Sequence, residues 1–192
     1  MANIGFDIDG ILASYSGQVR KLICGDISDI YNNDAEDYDF DKLLSIEQQK
    51  LLRFYRRQTD IFWTTMPVCN RCSFGDILKI NELSLKHNIY FISRASSWDY
   101  PIVEIRTSWL RSIGIYCGSV ICTPNKSKTI DALGVDMFVE DCPTDLVEIN
   151  RNENVRLYGM RYTYNEKIED YNNYPDIRWI DNLGQCLRDI DE

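Results

Sequence analysis

Residues 4 to 12 read Ile4-Gly5-Phe6-Asp7-Ile8-Asp9-Gly10-Ile11-Leu12. The apolar run before Asp7 predicts a buried β-strand, and alternate side chains of a strand share one face. Asp7 and Asp9 would therefore point the same way where the strand ends, and Gly10 permits a sharp turn after them. Two such carboxylates repel each other unless a cation lies between them, and Mg²⁺ takes carboxylates together with phosphate oxygens. The alternative is a structural strand followed by an Asp-Gly turn.

The composition is that of an ordinary globular protein. The 192 residues are 44% hydrophobic and 27% charged, which suits one domain of roughly 150 residues that carries a sizeable insert. The formal net charge is −9, and no run of lysine and arginine exceeds two residues. Because proteins that bind a nucleic-acid polymer usually carry a basic stripe, polymer binding is disfavoured, whereas a small anionic substrate is not.

The first residues have neither the basic region nor the uninterrupted apolar stretch of a secretory signal, and no window resembles a membrane span. We therefore expect a cytoplasmic protein, without membrane association, whose seven cysteines are reduced. Cys69 and Cys72 have the spacing of a zinc or redox pair. A zinc site would need a second pair or a histidine, and His87 is the single histidine, so free cysteines are favoured.

Strand-like and helix-like segments alternate after the first strand. Strands are predicted at 4–6, 89–92, 119–122, 137–139 and 155–158. Helices are predicted at 76–87, 102–113 and 126–133, after 142–145, and near 183–190. Repeated βα units of this length predict an α/β fold with a Rossmann-like, doubly wound parallel sheet.

Residues 14–74 interrupt this alternation. They contain helix-like pieces at about 16–24 and 46–57, joined by the acidic stretch 34–39. We expect them to form a small helical cap, inserted after the first strand above the strand ends, on a core of residues 1–13 and 75–192. Phe54, Tyr55, Phe62 and Trp63 either form a small core for this cap or line a pocket for a flat ligand.

Polar residues follow the first four predicted strands, at the edge of a parallel sheet where ligands bind. They are Asp7 and Asp9, Ser93, Lys126, and the pair Glu140-Asp141. Together they would supply a carboxylate nucleophile, a carboxyl for proton transfer, a hydroxyl and an ammonium for phosphate oxygens, and a metal-ligating acid. Together these groups would form a workable phosphoryl-transfer site.

Each of these residues also has a structural explanation when it is taken alone. Ser93 can be a loop hydroxyl, and Lys126 a solvated helix start with Lys128 as a competitor for the phosphate role. The pair Glu140-Asp141 can be the acidic first turn of a helix. It is their occurrence in order, each at the end of a predicted strand, that favours a site.

The ordered set Asp7-Ile8-Asp9-Gly10, Ile92-Ser93-Arg94, Lys126 and Glu140-Asp141 resembles the motifs of the haloacid dehalogenase (HAD) superfamily. The likeness covers residues 3–13 and 75–160. A closer likeness is to the 5′(3′)-deoxyribonucleotidase and 5′-nucleotidase branch, which also places a small helical cap after the first motif. It is carried by Ser93-Arg94, Thr107-Ser108-Trp109-Leu110 before Gly114-Ile115, Val139-Glu140-Asp141, Tyr164-Asn165 and Arg178-Trp179-Ile180.

This resemblance implies roles for the matched residues. Asp7 would be the nucleophile and Asp9 the general acid and base. Mg²⁺ would be held by Asp7, by Asp9 through its main-chain carbonyl, and by Asp141, with Glu140 in the outer shell. Ser93, Arg94 and Lys126 would bind the phosphate. Relatives place the lysine at the distance that separates Lys126 from Gly134, which favours it over Lys128.

The sequence departs from the family pattern at two of these positions. Ser93 stands where threonine is commoner, which keeps the hydroxyl group. Glu140-Asp141 replaces a pair of aspartates, which keeps the charge and lengthens one side chain. The cap matches no family motif residue by residue, so the resemblance assigns no role there.

The resemblance implies a Mg²⁺-dependent phosphomonoesterase, and above all a 5′-nucleotidase that hydrolyses nucleoside or deoxynucleoside monophosphates through an aspartyl-phosphate. One alternative is the same chemistry on a sugar phosphate or a nucleic-acid 3′-phosphate. Another is a non-catalytic HAD-like domain that binds a nucleotide or a partner protein, although such domains typically lack one of the two motif aspartates. The expected partner is a small phosphomonoester; the preferred base and sugar, and whether a homodimer forms, stay undecided.

Overall fold

The computed structural model describes residues 1–35, 38–58, 60–94, 101–166 and 174–190. Its strands are β1 (Asn3–Phe6), β2 (Asn88–Arg94), β3 (Ser119–Thr123), β4 (Met137–Glu140), β5 (Arg156–Met160) and β6 (Arg178–Ile180). They form one six-stranded sheet in the order β3-β2-β1-β4-β5-β6, with every neighbouring pair parallel. This order confirms the predicted Rossmann-like α/β fold.

The helices are α1 (Tyr15–Val19), α2 (Ile46–Gln58), α3 (Ile61–Thr64), α4 (Phe74–Leu83), α5 (Ile102–Ser112), α6 (Lys126–Leu133), α7 (Pro143–Ile149) and α8 (Leu183–Arg188). A π-helical turn, Arg20–Cys24, continues α1, and 3-10 turns occur at Phe40–Leu43 and Thr163–Asn165. The helix predicted at 126–133 is confirmed at both ends, because Asn125 caps its first turn and Gly134 ends it with a φ of 57°.

Three elements differ from the sequence prediction. Helix α4 begins two residues before the predicted position 76, since Ser73 and Asp76 form a reciprocal capping box there. Strand β6 and helix α3 were not predicted, because segments of three and four residues carry too little periodicity to be recognised. Glu36 and Asp37 of the acidic stretch lie outside the described residues.

Strand β1 lies in the middle of the sheet and sets the register of the strand ends. Phe6 is opposite Phe91 of β2 and Val139 of β4. The Asp7 amide donates to the carbonyl of Val139 at 2.9 Å, so the pairing continues for one more residue. Residues that follow Phe6, Phe91 and Val139 are therefore brought together at the carboxyl edge of the sheet.

The insert after β1 packs on the sheet and does not form a separate core. Val19, Phe62 and Trp63 belong to the same hydrophobic cluster as Phe6 of β1. Phe54 is 53% exposed, so it does not belong to that core. The proposed division into residues 14–74 and the remainder stays a prediction.

None of the seven cysteines forms a disulfide. Cys69 and Cys72 are both buried, and the Cys69 sulfur lies 3.1 Å from the hydroxyl of Tyr162. Among the residues described, none of the helices combines the length and the apolar character that crossing a membrane requires.

Candidate active site

A buried lysine lies at the centre of the strand ends. The Lys126 Nζ atom is 2.8 Å from Asp7 Oδ2, 2.8 Å from Glu140 Oε2 and 3.4 Å from Asp145 Oδ2. Lys126 is the first residue of α6 and is buried, whereas Lys128 is exposed. The structure thus brings Lys126 to the motif carboxylates and leaves Lys128 on the surface.

Asp7 and Glu140 are held on both of their carboxylate oxygens. Asp7 Oδ1 accepts from the Ile8 amide at 2.7 Å, and Glu140 Oε1 accepts from the amides of Asp141 and Cys142 at 3.0 and 2.9 Å. Burial raises the pKa of Asp7 well above its usual range, and the Lys126 ammonium opposes that rise. Burial likewise raises the pKa of Glu140 to about 7, again against Lys126.

Asp141 lies beside Asp7 and is fixed by the segment that follows β5. The Tyr164 hydroxyl donates to Asp141 Oδ2, and the Asn165 side-chain amide donates to the Asp141 carbonyl at 3.1 Å. Burial, followed by repulsion from Asp7, raises the pKa of Asp141 to about 7. Tyr164-Asn165 was noted in the sequence only as part of the family likeness, and its contact with Asp141 was not predicted.

The side chains of Asp7, Glu140 and Asp141 fit the Mg²⁺ ion that the resemblance implies. Each offers an oxygen within 4.8 Å of the others, and all three are buried. Carboxylate oxygens are the donors that Mg²⁺ prefers, and a divalent cation would offset the repulsion between Asp7 and Asp141. Glu140 accepts from two main-chain amides and from Lys126, whereas Asp7 accepts from one amide and Lys126, and Asp141 Oδ2 from Tyr164. Asp7 and Asp141 therefore keep more lone pairs for direct binding of an ion than Glu140 does.

Asp9 is held by a residue that the sequence analysis missed. Asp9 Oδ2 accepts from the Ser93 hydroxyl at 3.5 Å and forms an ion pair with Nη2 of Arg106. Arg106 is on α5 and is buried beside Trp109 and Leu110. An arginine on the apolar face of an amphipathic helix was the signal that could have revealed it.

Ser93 and Arg94 end β2 at the same edge. Ser93 is 1% exposed, whereas the Arg94 side chain is about half exposed and forms an ion pair with the buried carboxylate of Asp145. Asp145, in the first turn of α7, therefore contacts both Arg94 and Lys126, the two cations that the family resemblance assigns to phosphate. The sequence analysis did not identify Asp145.

A cavity of about 420 Å³ opens above these residues, a volume typical of small-molecule sites. Its floor includes the motif residues Asp7, Asp9, Arg94, Lys126 and Asp141. Its wall comes from the insert and includes Tyr15, Tyr38, Asp41, Arg56 and Trp63. Of the aromatic residues considered in the sequence, Trp63 thus belongs both to the core and to the cavity wall.

The wall contains a polar cluster around Asp41. Asp41 Oδ2 accepts from the Tyr15 hydroxyl at 3.1 Å and from Arg56 Nη1 at 3.4 Å. Asp41 Oδ1 is buried and has no hydrogen-bond partner among the described residues. Leaving such a carboxylate oxygen without a donor costs on the order of 1–3 kcal/mol, and a ligand that carries an N–H or O–H group would supply one.

No protein-family model matches the chain, and neither does any curated protein. Solved structures do match it. A haloacid dehalogenase-like hydrolase from Burkholderia xenovorans LB400 is 12% identical over 98% of this chain and 96% of its own, with a TM-score of 0.54. This chain has the HAD-like fold.

Two further HAD-like structures agree. The D,D-heptose 1,7-bisphosphate phosphatase from B. bronchiseptica, complexed with magnesium and phosphate, is 10% identical over 99% of this chain and 98% of its own, with a TM-score of 0.52. A family IA, variant 3 HAD hydrolase from Entamoeba histolytica is 12% identical over the whole of both chains, with a TM-score of 0.50. The predicted HAD resemblance is confirmed for the fold, and the nucleotidase branch stays a prediction.

We expect Lys126→Met to destabilise the HAD-like core strongly. The substitution leaves the buried carboxylates of Asp7, Glu140 and Asp145 without their shared cation. Removing one partner of a buried ion pair costs about 3–5 kcal/mol, a fall in Tm of roughly 6–20 °C for a chain of this size. Thermal unfolding followed by circular dichroism measures this. Lys128→Met is the control and should leave Tm within about 2 °C; equal effects would contradict the assignment of the buried lysine.

Gly10→Ala should disturb both folding and the site. Gly10 has a φ of 80°, and a Cβ atom there would lie 2.1 Å from Asp141 Oδ2. Gly25 has a similar φ of 70° with no atom within 4 Å of its Cβ position, so Gly25→Ala isolates the backbone strain. We expect the free energy of unfolding, measured by urea denaturation, to fall by about 1–2 kcal/mol for Gly25→Ala. It should fall by clearly more for Gly10→Ala. Equal losses would show that the contact with Asp141 is unimportant.

Proposed function

We propose that this HAD-like protein is a Mg²⁺-dependent phosphomonoesterase that acts through an aspartyl-phosphate on Asp7. The observation that carries the proposal is the Lys126 ammonium, 2.8 Å from Asp7 Oδ2 on the floor of a small-molecule cavity. A cation at that position can bind one oxygen of the phosphate while the Asp7 carboxylate beside it attacks the phosphorus. The magnesium and phosphate bound by the B. bronchiseptica phosphatase support the same class of chemistry.

In the first half-reaction, an oxygen lone pair of Asp7 forms a bond to the phosphorus. The ester P–O bond breaks and its electron pair stays on the leaving oxygen. Asp9 enters this step in its protonated form, with Oδ2 still facing Arg106, and gives its proton to that oxygen. The Ile8 amide and Lys126 orient the attacking carboxylate through Oδ1 and Oδ2. Ser93 and Arg94, with Lys126, bind the oxygens of the transferred group.

In the second half-reaction, Asp9 removes a proton from a water molecule that attacks the phosphorus. The bond between phosphorus and the Asp7 oxygen breaks, its electron pair returns to the carboxylate, and phosphate leaves. Asp9 is then protonated again, so both aspartates end each cycle as they began.

Asp7, the main-chain carbonyl of Asp9, and Asp141 would hold the Mg²⁺ ion, with Glu140 outside them. When bound, the ion neutralises negative charge on the phosphoryl oxygens. Glu140 accepts hydrogen bonds from the amides of Asp141 and Cys142, and so fixes the main chain that carries Asp141. Tyr164 orients the Asp141 carboxylate from the other side.

For the substrate, we propose a nucleoside or deoxynucleoside monophosphate, which makes the protein a 5′-nucleotidase. Tyr15, Tyr38 and Trp63 in the cavity wall offer aromatic surfaces for a flat base. The Asp41 oxygen that has no partner among the described residues would accept from an amino, imino or hydroxyl group.

A sugar phosphate is the second candidate. A sugar hydroxyl is as suitable a hydrogen-bond donor to Asp41 as an amino or imino group of a base. One structural neighbour is a heptose bisphosphate phosphatase. A nucleic-acid 3′-phosphate is less compatible with the acidic chain and with a cavity of about 420 Å³. Hydrolysis of a panel of nucleoside monophosphates, hexose phosphates and 3′-phosphorylated oligonucleotides separates the three.

Asp7→Asn should abolish phosphate release from an aryl phosphate, since an amide cannot form the aspartyl-phosphate. We expect at least about a thousandfold loss of kcat/KM. In the unmodified protein, EDTA should abolish phosphate release, and added Mg²⁺ should restore it. Asp26→Asn, at an exposed acid of the insert, is the control and should keep full activity. Full activity of Asp7→Asn would refute the assigned nucleophile.

Asp41→Asn should raise KM for the preferred substrate, because a carboxylate acceptor becomes an amide. The loss of a hydrogen bond to a charged group, about 1.5–3 kcal/mol, corresponds to an increase of roughly tenfold or more. KM for p-nitrophenyl phosphate, which lacks donors on its leaving group, should change little. Steady-state kinetics on both substrates test this. Equal changes in KM would show that Asp41 does not accept a hydrogen bond from the leaving group.

A further inference from the structure

Arg106 is a buried cation that joins helix α5 to the motif strand and to the insert. Its side chain is 2% exposed. The guanidinium forms an ion pair with Asp9, lies 4.2 Å from the centre of the Trp63 ring, and places Nη1 3.2 Å from the Met66 sulfur. An apolar residue could pack on Trp63 and Met66 equally well, so the charge is explained by its carboxylate partner.

The two oxygens of Asp9 have different surroundings. Oδ2 takes the ion pair with Arg106 and a long hydrogen bond of 3.5 Å from Ser93. Oδ1 is buried and has no hydrogen-bond partner among the described residues. Arg106 is therefore the main group that fixes the rotation of this carboxylate.

The same arginine connects Asp9 to the wall of the cavity. Trp63 lies on α3, lines the cavity, and is itself fixed by a hydrogen bond from its indole N–H to the Arg56 carbonyl at 3.2 Å. Met66 is held at its carbonyl by the indole N–H of Trp109, at 2.9 Å. Arg106 thus contacts two residues of the insert, Trp63 and Met66, that are themselves hydrogen-bonded, and one carboxylate of the core, Asp9.

We infer that Arg106 is a positioning residue that orients the Asp9 carboxyl for proton transfer to the leaving oxygen. It sets that orientation relative to Trp63, and hence relative to a leaving group bound in the cavity that Trp63 lines. This inference rests on the proposed function, because it concerns the proton that Asp9 moves. If it is correct, loss of Arg106 should lower kcat/KM most for esters whose leaving oxygen must be protonated.

The test compares two substrates through kcat/KM, which reports the steps up to the first phosphoryl transfer. The nitrophenolate leaving group of p-nitrophenyl phosphate departs without a proton, whereas the alkoxide of a nucleoside 5′-monophosphate needs one. Arg106→Met should lower kcat/KM for the nucleotide at least about tenfold more than for the aryl ester. Asp9→Asn should show the same selectivity.

Non-additivity separates positioning from simple packing. If Arg106 acts through Asp9, the double variant Asp9→Asn/Arg106→Met should be no slower on the nucleotide than Asp9→Asn alone. Arg111→Met, at an exposed arginine of the same helix, is the matched control and should leave both substrates unaffected. Arg106→Lys keeps the charge but not the planar contacts, so the difference between its losses of kcat/KM on the two substrates should be smaller. It also serves as the test variant if Arg106→Met does not fold.

The results that contradict the inference are distinct from those that contradict the proposed function. Equal losses on both esters in each folded Arg106 variant, or a double variant whose loss is the product of the single losses, would overturn the positioning role while the unmodified protein stays active. If the unmodified protein hydrolyses neither ester, the proposed function fails and this inference fails with it.

Discussion

The ion pairs of Lys126 with Asp7 and Glu140 are the contacts on which the rest of the site depends. The ammonium is 2.8 Å from an oxygen of each carboxylate, and all three side chains are buried. Without it, neighbouring strands β1 and β4 would end in buried negative charges that burial and mutual repulsion make unfavourable. The same ammonium is the group that the proposed reaction needs for phosphate, so stability and chemistry share one interaction.

The insert completes the site with contacts from outside the sheet. Trp63 packs with the core and lines the cavity, while its ring lies against the guanidinium of Arg106. On the other side, Asn33 donates to the Tyr164 hydroxyl at 3.2 Å, and Tyr164 donates to Asp141. Two separate parts of the insert, at Asn33 and at Trp63, therefore reach a motif aspartate through one intermediate side chain, which relates the shape of the cavity to the positions of Asp9 and Asp141.

Much of the fold could be predicted, because its signals are local. The apolar run of β1, the Asn125 cap and the Gly134 stop of α6 each act within a few residues. Strand β6 could not be predicted, since its pairing with β5 rather than its own pattern makes it a strand. In the site, the motif residues at the ends of β1, β2 and β4 were identifiable from strand order, whereas Asp41 and Asp145 were not.

The sequence by itself determined where the motif carboxylates, the serine and the lysine would stand, because chain direction in a parallel sheet places successive strand ends at one edge. The tertiary structure alone decided their partners. Arg106 is 97 residues from Asp9, and Arg94 is 51 residues from Asp145. Local periodicity indicates which face of a helix is buried, but not which charged side chain that face will contact. That depends on how helices α5 and α7 pack against the strand ends.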